Sequence, residues 1–418
     1  MSFSELKSIA FGLESHLFGL QQRARTALDK LRTDVSNDLR QDITQRAAIL
    51  DLLQRAHQQA ERAMLPNAVR EKNELPWEMV HGLDALGLLN GAKALPKTPE
   101  EFPTIVRSDG TLLGCRQWEL LDPRWAEALV EWLEHWLCRA PFSHKPTVLK
   151  VPNQLKLAIV GDWGTGSFET NAPSSKIANL VAQLQPDFSI HLGDVYYAGT
   201  DEQEQNNMRD WPQGTRGSFT LNSNHEMYNG AFGYFAELAR SFPLQNGCSY
   251  FALENDSWMV VGLDSAYFSK CADMYMEGVL DAGQLAWLAQ LPKDKRVLVL
   301  SHHEAYSALG NDKTALYQQV EQALGREPDY WYWGHLHNGI CYQTVGNFKG
   351  RCVGHGAIPC GVASELEADE GVVWYETELA GDPNYPERVL NGYAVVTLDG
   401  ADINEALLGE DGSVRWRA

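Results

Sequence analysis

Apolar residues recur along the chain with two different periods, and the change from one to the other divides it. From residue 6 to 31, Leu6, Ile9, Ala10, Leu13, Leu17, Leu20, Ala24, Ala27, Leu28 and Leu31 follow three- and four-residue steps. That spacing makes one apolar stripe on a helix. Turn residues fill 34–37, and a second stripe, Ile49, Leu52, Leu53, Ala56, Ala60 and Met64, stops just before Pro66. The two predict a helical hairpin. A further helix is predicted over 123–138, with Trp125, Leu129, Leu133 and Trp136 on one side and Glu127, Glu131 and Glu134 mostly on the other. Pro141, Pro146 and Pro152 then punctuate the chain. The domain boundary is placed there, giving an all-helical N-terminal domain over 1–147 and a second domain over 148–418.

Beyond the boundary the period shortens. Runs rich in β-branched and aromatic residues appear at 155–160 (LKLAIV), 188–192 (FSIHL), 258–263 (WMVVGL), 296–300 (RVLVL) and 330–333 (YWYW). Helix-like segments at 175–185, 234–242 and 281–291 separate them. Buried strands alternating with helices predict a layered α/β fold. Near the C-terminus, Asp-Gly turns at 399–400 and 411–412 join segments that read as antiparallel strands.

The chain has 418 residues, 44% of them hydrophobic, and a formal net charge of -20. A core of ordinary size is therefore expected, and an acidic surface argues against a nucleic-acid backbone or an anionic membrane as the main partner. Glu5, Lys7 and Glu14 interrupt the N-terminal apolar residues, no A-x-A cleavage site follows, and no stretch of about 20 apolar residues occurs. The seven cysteines are scattered without a CxxC pair. These features predict a cytoplasmic protein with reduced thiols, no signal peptide and no transmembrane helix.

Candidate chemistry sits at the strand ends. LKLAIV runs into Gly161-Asp162-Trp163-Gly164, FSIHL into Gly193-Asp194-Val195-Tyr196-Tyr197, and SFTLNS into Asn224-His225-Glu226. RVLVL runs into Ser301-His302-His303-Glu304, and YWYW into Gly334-His335-Leu336-His337. In layered α/β folds, ligands gather at the carboxyl ends of strands. Carboxylate and imidazole together, without a thiolate, suit zinc, iron or manganese and argue against a structural zinc finger.

This ordered set, GDWG (161–164), GDVYYAG (193–199), SNHE (223–226), SHHE (301–304) and GHLH (334–337), closely resembles the calcineurin-like metallophosphoesterase superfamily over about residues 155–416. Within it, Gly164 in the first segment and Tyr197 three residues after Asp194 resemble the purple acid phosphatases. The resemblance implies a four-layer sandwich of two β-sheets flanked by helices, an α/β (α+β) architecture. It also implies a dinuclear centre of iron with zinc, manganese or a second iron.

By position, the resemblance assigns Asp162, Asp194, Tyr197 and His337 to one metal and Asp194, Asn224, His302 and His335 to the other, with Asp194 bridging. Two cations roughly 3.5–4 Å apart acidify a bridging water, and the metal-bridging hydroxide attacks phosphorus. His225 would bind phosphate or protonate the leaving group, and Glu226 would orient a histidine. His302 and His303 compete for one ligand position; spacing to Tyr306 and Ser307 favours His302, leaving His303 to bind substrate. Tyr196 is the alternative to Tyr197 as the inward-facing phenol. His191 reads as a core histidine, and His355 as a loop residue or a neighbour of the pocket. Ser223 stands where the family has glycine, which predicts a differently shaped turn.

The implied activity is hydrolysis of phosphate esters on a small phosphorylated substrate, with phosphomonoesters favoured. The alternatives are a phosphodiesterase acting on cyclic nucleotides or other small diesters, or a metal-bound non-catalytic scaffold. The N-terminal helices would then serve as a cap or as the contact of a homo-oligomer.

Overall fold

The short apolar runs pair into two sheets that stack face to face. The computed structural model describes residues 18–27, 55, 80, 98–136, 138–169, 171–367 and 369–418. They fall into two compact units. The first comprises Met1–Ile105, Leu113–Cys138 and Cys271–Met274; the second comprises Val106–Leu112, Arg139–Lys270 and Tyr275–Ala418.

In the first unit, residues 18–27 are helical, as the apolar stripe predicts. The remainder of that stripe and most of the 49–64 stripe lie outside the described residues. Asp122 caps a 3-10 turn at Pro123–Trp125, which continues into a helix at Ala126–His135. Its apolar face is buried, and Arg23 bonds Glu131 and Glu134 on the same helix.

The second unit holds the layered domain. Among the described residues, one sheet has the strand order Val372–Tyr375, Gly339–Tyr342, Lys349–Val353, Tyr330–Trp333, Arg296–Ser301, Trp258–Gly262, Phe251–Glu254, Thr147–Lys150. The other has the order Val414–Arg417, Asp402–Gly409, Gly392–Asp399, Gln154–Val160, Phe188–His191, Gly217–Thr220. The central strands of each are parallel: Leu157 opposes Phe188, Phe188 opposes Gly217, and Tyr330 opposes Leu298. Strands buried on both faces read as near-continuous apolar runs, as Leu157–Val160 and Val297–Leu300 do.

One hydrophobic cluster fills the space between the sheets, including Ile159, Ile190, Phe219, Val260, Leu300 and Tyr332. A second lies under helices Ala282–Ala289 and Ala315–Leu324, against the outer side of the larger sheet. Asp281 and Thr314 cap these helices through side-chain oxygens. Arg351 and Glu405 form a buried pair across the two sheets, at 2.6 and 3.0 Å, joined by the Tyr332 hydroxyl. Among the described residues no helix is long and apolar enough to cross a membrane. The architecture is thus a two-sheet sandwich flanked by helices.

Candidate metal centre

The parallel strands end on one edge of the sandwich, and the loops leaving them turn sharply. Asp162, Asp194, His335 and His337 all adopt left-handed backbone, with φ of 56, 77, 66 and 49°. Each such residue costs about 1–3 kcal/mol, so its persistence marks a site held in place by its surroundings. The loops approach each other closely. A Cβ on Gly334 would collide with Asp162 Oδ2, and one on Gly193 would lie 3.2 Å from His302 Nδ1.

One group of donor atoms meets at His302. Its Nδ1 lies 3.0 Å from the carbonyl of Leu192, which can only accept, so the ring proton sits on Nδ1. Burial lowers the pKa of His302 to about 3, and the ring is neutral. Its Nε2 therefore carries a lone pair. That lone pair faces Asn224 Oδ1 at 2.8 Å, His335 Nδ1 at 3.2 Å and Asp194 Oδ1 at 3.3 Å.

A second group meets at His337. Its Nε2 lies 3.2 Å from the Tyr196 hydroxyl, 3.4 Å from Asp162 Oδ1 and 3.8 Å from Asp194 Oδ2. Tyr196 donates to Asp194 Oδ2 at 2.9 Å. Asp194 thus gives one oxygen to each group. The phenol brought here is that of Tyr196, where the sequence pattern pointed to Tyr197. Tyr197 enters through its backbone carbonyl, which accepts from His225 Nδ1 at 2.8 Å. Asn207 Nδ2 donates to the carbonyls of Gly164 and Tyr196 and so fixes this loop.

The electrostatics follow from the crowding. Burial and then the charge of Asp194 push Asp162 up to about 8. Burial works against the Asp194 charge too, but His225 and His337 hold it well below the usual carboxylate range. His337 is raised to about 10 by Asp162 and Asp194 despite burial. Its side chain is 30% exposed, whereas Asp162 and His302 are fully buried, so approach from solvent is past His337.

Beside these groups lies the Asn224–Tyr228 helix. Ser223, in extended conformation, caps it by accepting from the His225 amide, and its hydroxyl donates to Asp194 Oδ1 at 2.5 Å. A glycine could do neither. Ser223 also contacts Glu226 Oε2, which accepts from the Asp194 amide at 3.4 Å. Burial and the charge of Asp194 push Glu226 well above the usual carboxylate range. His225 Nε2 is 3.8 Å from Asp194 Oδ2.

His303 does not turn toward this centre as a substrate-binding residue. Its Nε2 meets the Tyr275 carbonyl and its Nδ1 the Ser265 hydroxyl, both at 2.8 Å, which occupies both nitrogens. His191 is fully buried, bonds Thr220 and packs against Trp163 and Trp211. His355 is buried against Gly339 and Gly392.

The donor set fits cations. Asp162, Asp194 and His302 offer atoms within 4.8 Å of one another. Asn224 Oδ1 and Asp194 Oδ1 face the lone pair of His302 Nε2 with no proton of their own to share, so without a positive charge these contacts repel. Carboxylate, amide and imidazole donors together are those of zinc, iron and manganese sites.

Residues 155–339 match the model of the calcineurin-like phosphoesterase family. No curated protein matches the chain. Solved structures similar to it include a dimetal phosphatase from Danio rerio at 12% identity, covering 61% of this chain and 96% of that one, with a TM-score of 0.43. GAP50, described as the anchor in the inner membrane complex of Plasmodium, is 13% identical over 63% and 88%, with a TM-score of 0.43. A 5'-nucleotidase from Candida albicans is 12% identical over 65% and 55%, with a TM-score of 0.35.

Proposed function

From the match of residues 155–339 to the calcineurin-like phosphoesterase family model, we propose that the chain hydrolyses phosphate esters, phosphomonoesters by preference, at a dinuclear metal centre. The observation that carries the reading is the split carboxylate of Asp194: Oδ1 faces His302, and Oδ2 faces Tyr196 and His337. A shared anionic ligand is what two adjacent cations require.

In this reading Asn224, His302 and His335 join Asp194 at one metal, and Asp162, His337 and Tyr196 join it at the other. Tyr196 takes the place first given to Tyr197. When bound, the two ions, iron with zinc, manganese or a second iron, supply positive charge for the phosphoryl oxygens and acidify a water. The protein's own groups do the rest. Leu192 and Asp162 fix His302 and His335 by hydrogen bonds to Nδ1 and to the backbone amide. Tyr197 holds His225 Nδ1, so Nε2 is the atom that passes a proton to the leaving oxygen. Glu226, behind Ser223, keeps the bridging carboxylate in position.

The test is hydrolysis of p-nitrophenyl phosphate against its bis-ester after loading with iron, manganese or zinc. Faster turnover of the monoester is expected. Two bound metals with neither ester cleaved would sink the proposal, and preference for the bis-ester would make the enzyme a diesterase.

A further inference from the structure

We infer that Tyr228 is a positioning residue that holds both the Asn224 amide and the His225 imidazole in their working orientations. The inference rests on the reading of Asn224 as a metal ligand and His225 as the proton donor. Tyr228 ends the short Asn224–Tyr228 helix and is 1% exposed. It stands four residues after Asn224 and three after His225, the two spacings that make helical neighbours.

The contact with Asn224 is polar. Asn224 Nδ2 donates to the Tyr228 hydroxyl at 3.1 Å and lies 3.8 Å from the Met276 sulfur. A thioether accepts and cannot donate, so this side of the amide is its nitrogen side. Oδ1 is thereby turned toward His302 Nε2, at 2.8 Å. The orientation is not what the two side chains would choose alone. Because Leu192 holds the ring proton of His302 on Nδ1, Nε2 is an acceptor, and a reversed amide would donate to it directly. The reversed amide would present hydrogens where a cation must bind. The Tyr228 hydroxyl pins this end of the amide, and the Met276 sulfur beside it, which can only accept, disfavours that reversal.

The contact with His225 is aromatic. The rings of Tyr228 and His225 are 4.9 Å apart at 62°, and Tyr196 meets the His225 ring at 4.7 Å and 65°. Both are edge-to-face pairs, which have a preferred geometry. Held between them, and by the Tyr197 carbonyl, the imidazole has little freedom to swing Nε2 away from the centre. One side chain therefore serves two tasks through separable parts, the hydroxyl for the ligand and the ring for the acid.

Two substitutions in the full-length chain separate these parts. Tyr228→Phe removes only the hydroxyl, and Tyr228→Leu removes the ring as well. Manganese binding by calorimetry should show two steps for the natural chain. Tyr228→Phe should weaken one of them roughly tenfold, the effect of one net hydrogen bond, and spare the other. It should leave the ratio of turnover on p-nitrophenyl phosphate to that on an alkyl phosphate unchanged. Tyr228→Leu should slow the alkyl ester at least tenfold more than the aryl ester, because only the poor leaving group needs the acid. Thermal melts of both variants monitor folding. Two unweakened binding steps in Tyr228→Phe, or equal slowing of both esters in Tyr228→Leu, overturns the inference. A natural chain that binds two ions but cleaves neither ester removes the hydrolase reading, while the Tyr228→Phe isotherm still decides the amide role. A natural chain without a second binding step overturns both.

Discussion

His302 Nε2 lies 2.8 Å from Asn224 Oδ1, and neither atom has a proton to offer the other. Two lone pairs at that distance repel, and Asp194 Oδ1 adds a third at 3.3 Å. A cation relieves these contacts at once. Asp194 is the residue on which both groups of donors depend. Asp194→Asn should therefore lower metal content from two ions per chain and reduce turnover by more than a hundredfold, beyond the 10–100-fold typical of residues behind a ligand. Elemental analysis of the purified variant, with p-nitrophenyl phosphate hydrolysis on the same sample, checks this. Retention of two ions with full activity would refute the bridging role.

The Tyr196 and Tyr197 pair gives a second expectation. The Tyr196 hydroxyl lies within 3.2 Å of His337 Nε2 and 2.9 Å of Asp194 Oδ2. Tyr196→Phe should weaken one ion, and if the iron-loaded protein absorbs in the visible range, that band should vanish with it. Tyr197→Phe keeps the backbone carbonyl that His225 uses and should keep the band and at least half the activity. The reverse pattern in the visible spectra would place the phenol of Tyr197 on the metal instead.

Sequence pointed to Tyr197 over Tyr196 and to His302 over His303 only through the family pattern, since the residues alone do not decide either pair, and the reason is physical. Neighbouring side chains diverge, and which one faces inward depends on partners far along the chain. Asn207 holds the Tyr196 carbonyl, Leu192 takes His302, and Ser265 takes His303. The strands feeding the site were legible because burial on both faces demands unbroken apolar runs. Strand Lys349–Val353 was not, since KGRCV contains a buried arginine whose partner, Glu405, is on the other sheet. Ser223 was legible only as a departure from the family pattern. Its hydroxyl proves to link Asp194 to the helix that carries Asn224.

His303 tests the difference between a buried polar residue and a binding residue. Both its nitrogens are occupied and the ring is fully buried. His303→Ala should take from the Tyr275 carbonyl its imidazole donor, at a cost of about 1–3 kcal/mol for a buried group, while the Ser265 hydroxyl keeps the amide of residue 303. The expected result is a lower melting temperature with KM changed less than twofold. His225→Ala should instead slow turnover, most strongly for alkyl esters. A large rise in KM for His303→Ala at unchanged stability would restore it as a substrate ligand.

Proton uptake sets the pH behaviour of the metal-free protein. Asp162 is raised to about 8 and His337 to about 10, both above their unfolded values near 4 and 6.5. A group whose folded pKa is raised stabilises the fold fully below its unfolded pKa and loses that contribution as pH rises through the folded one. Metal-free protein should therefore lose melting temperature steadily between about pH 4 and 10, as two protons leave a site crowded with lone pairs. Asp194 has the opposite sense, and its contribution is lost only in acid, below the usual carboxylate range. Bound cations take over the role of those protons, so loading should flatten the alkaline decline, and binding near pH 7 should release protons into solution. Melting curves from pH 5 to 9 with and without manganese, and calorimetry in buffers of different ionisation heat, measure both effects. A metal-free protein as stable at pH 9 as at pH 5 would show that Asp162 and His337 do not hold protons in the folded state.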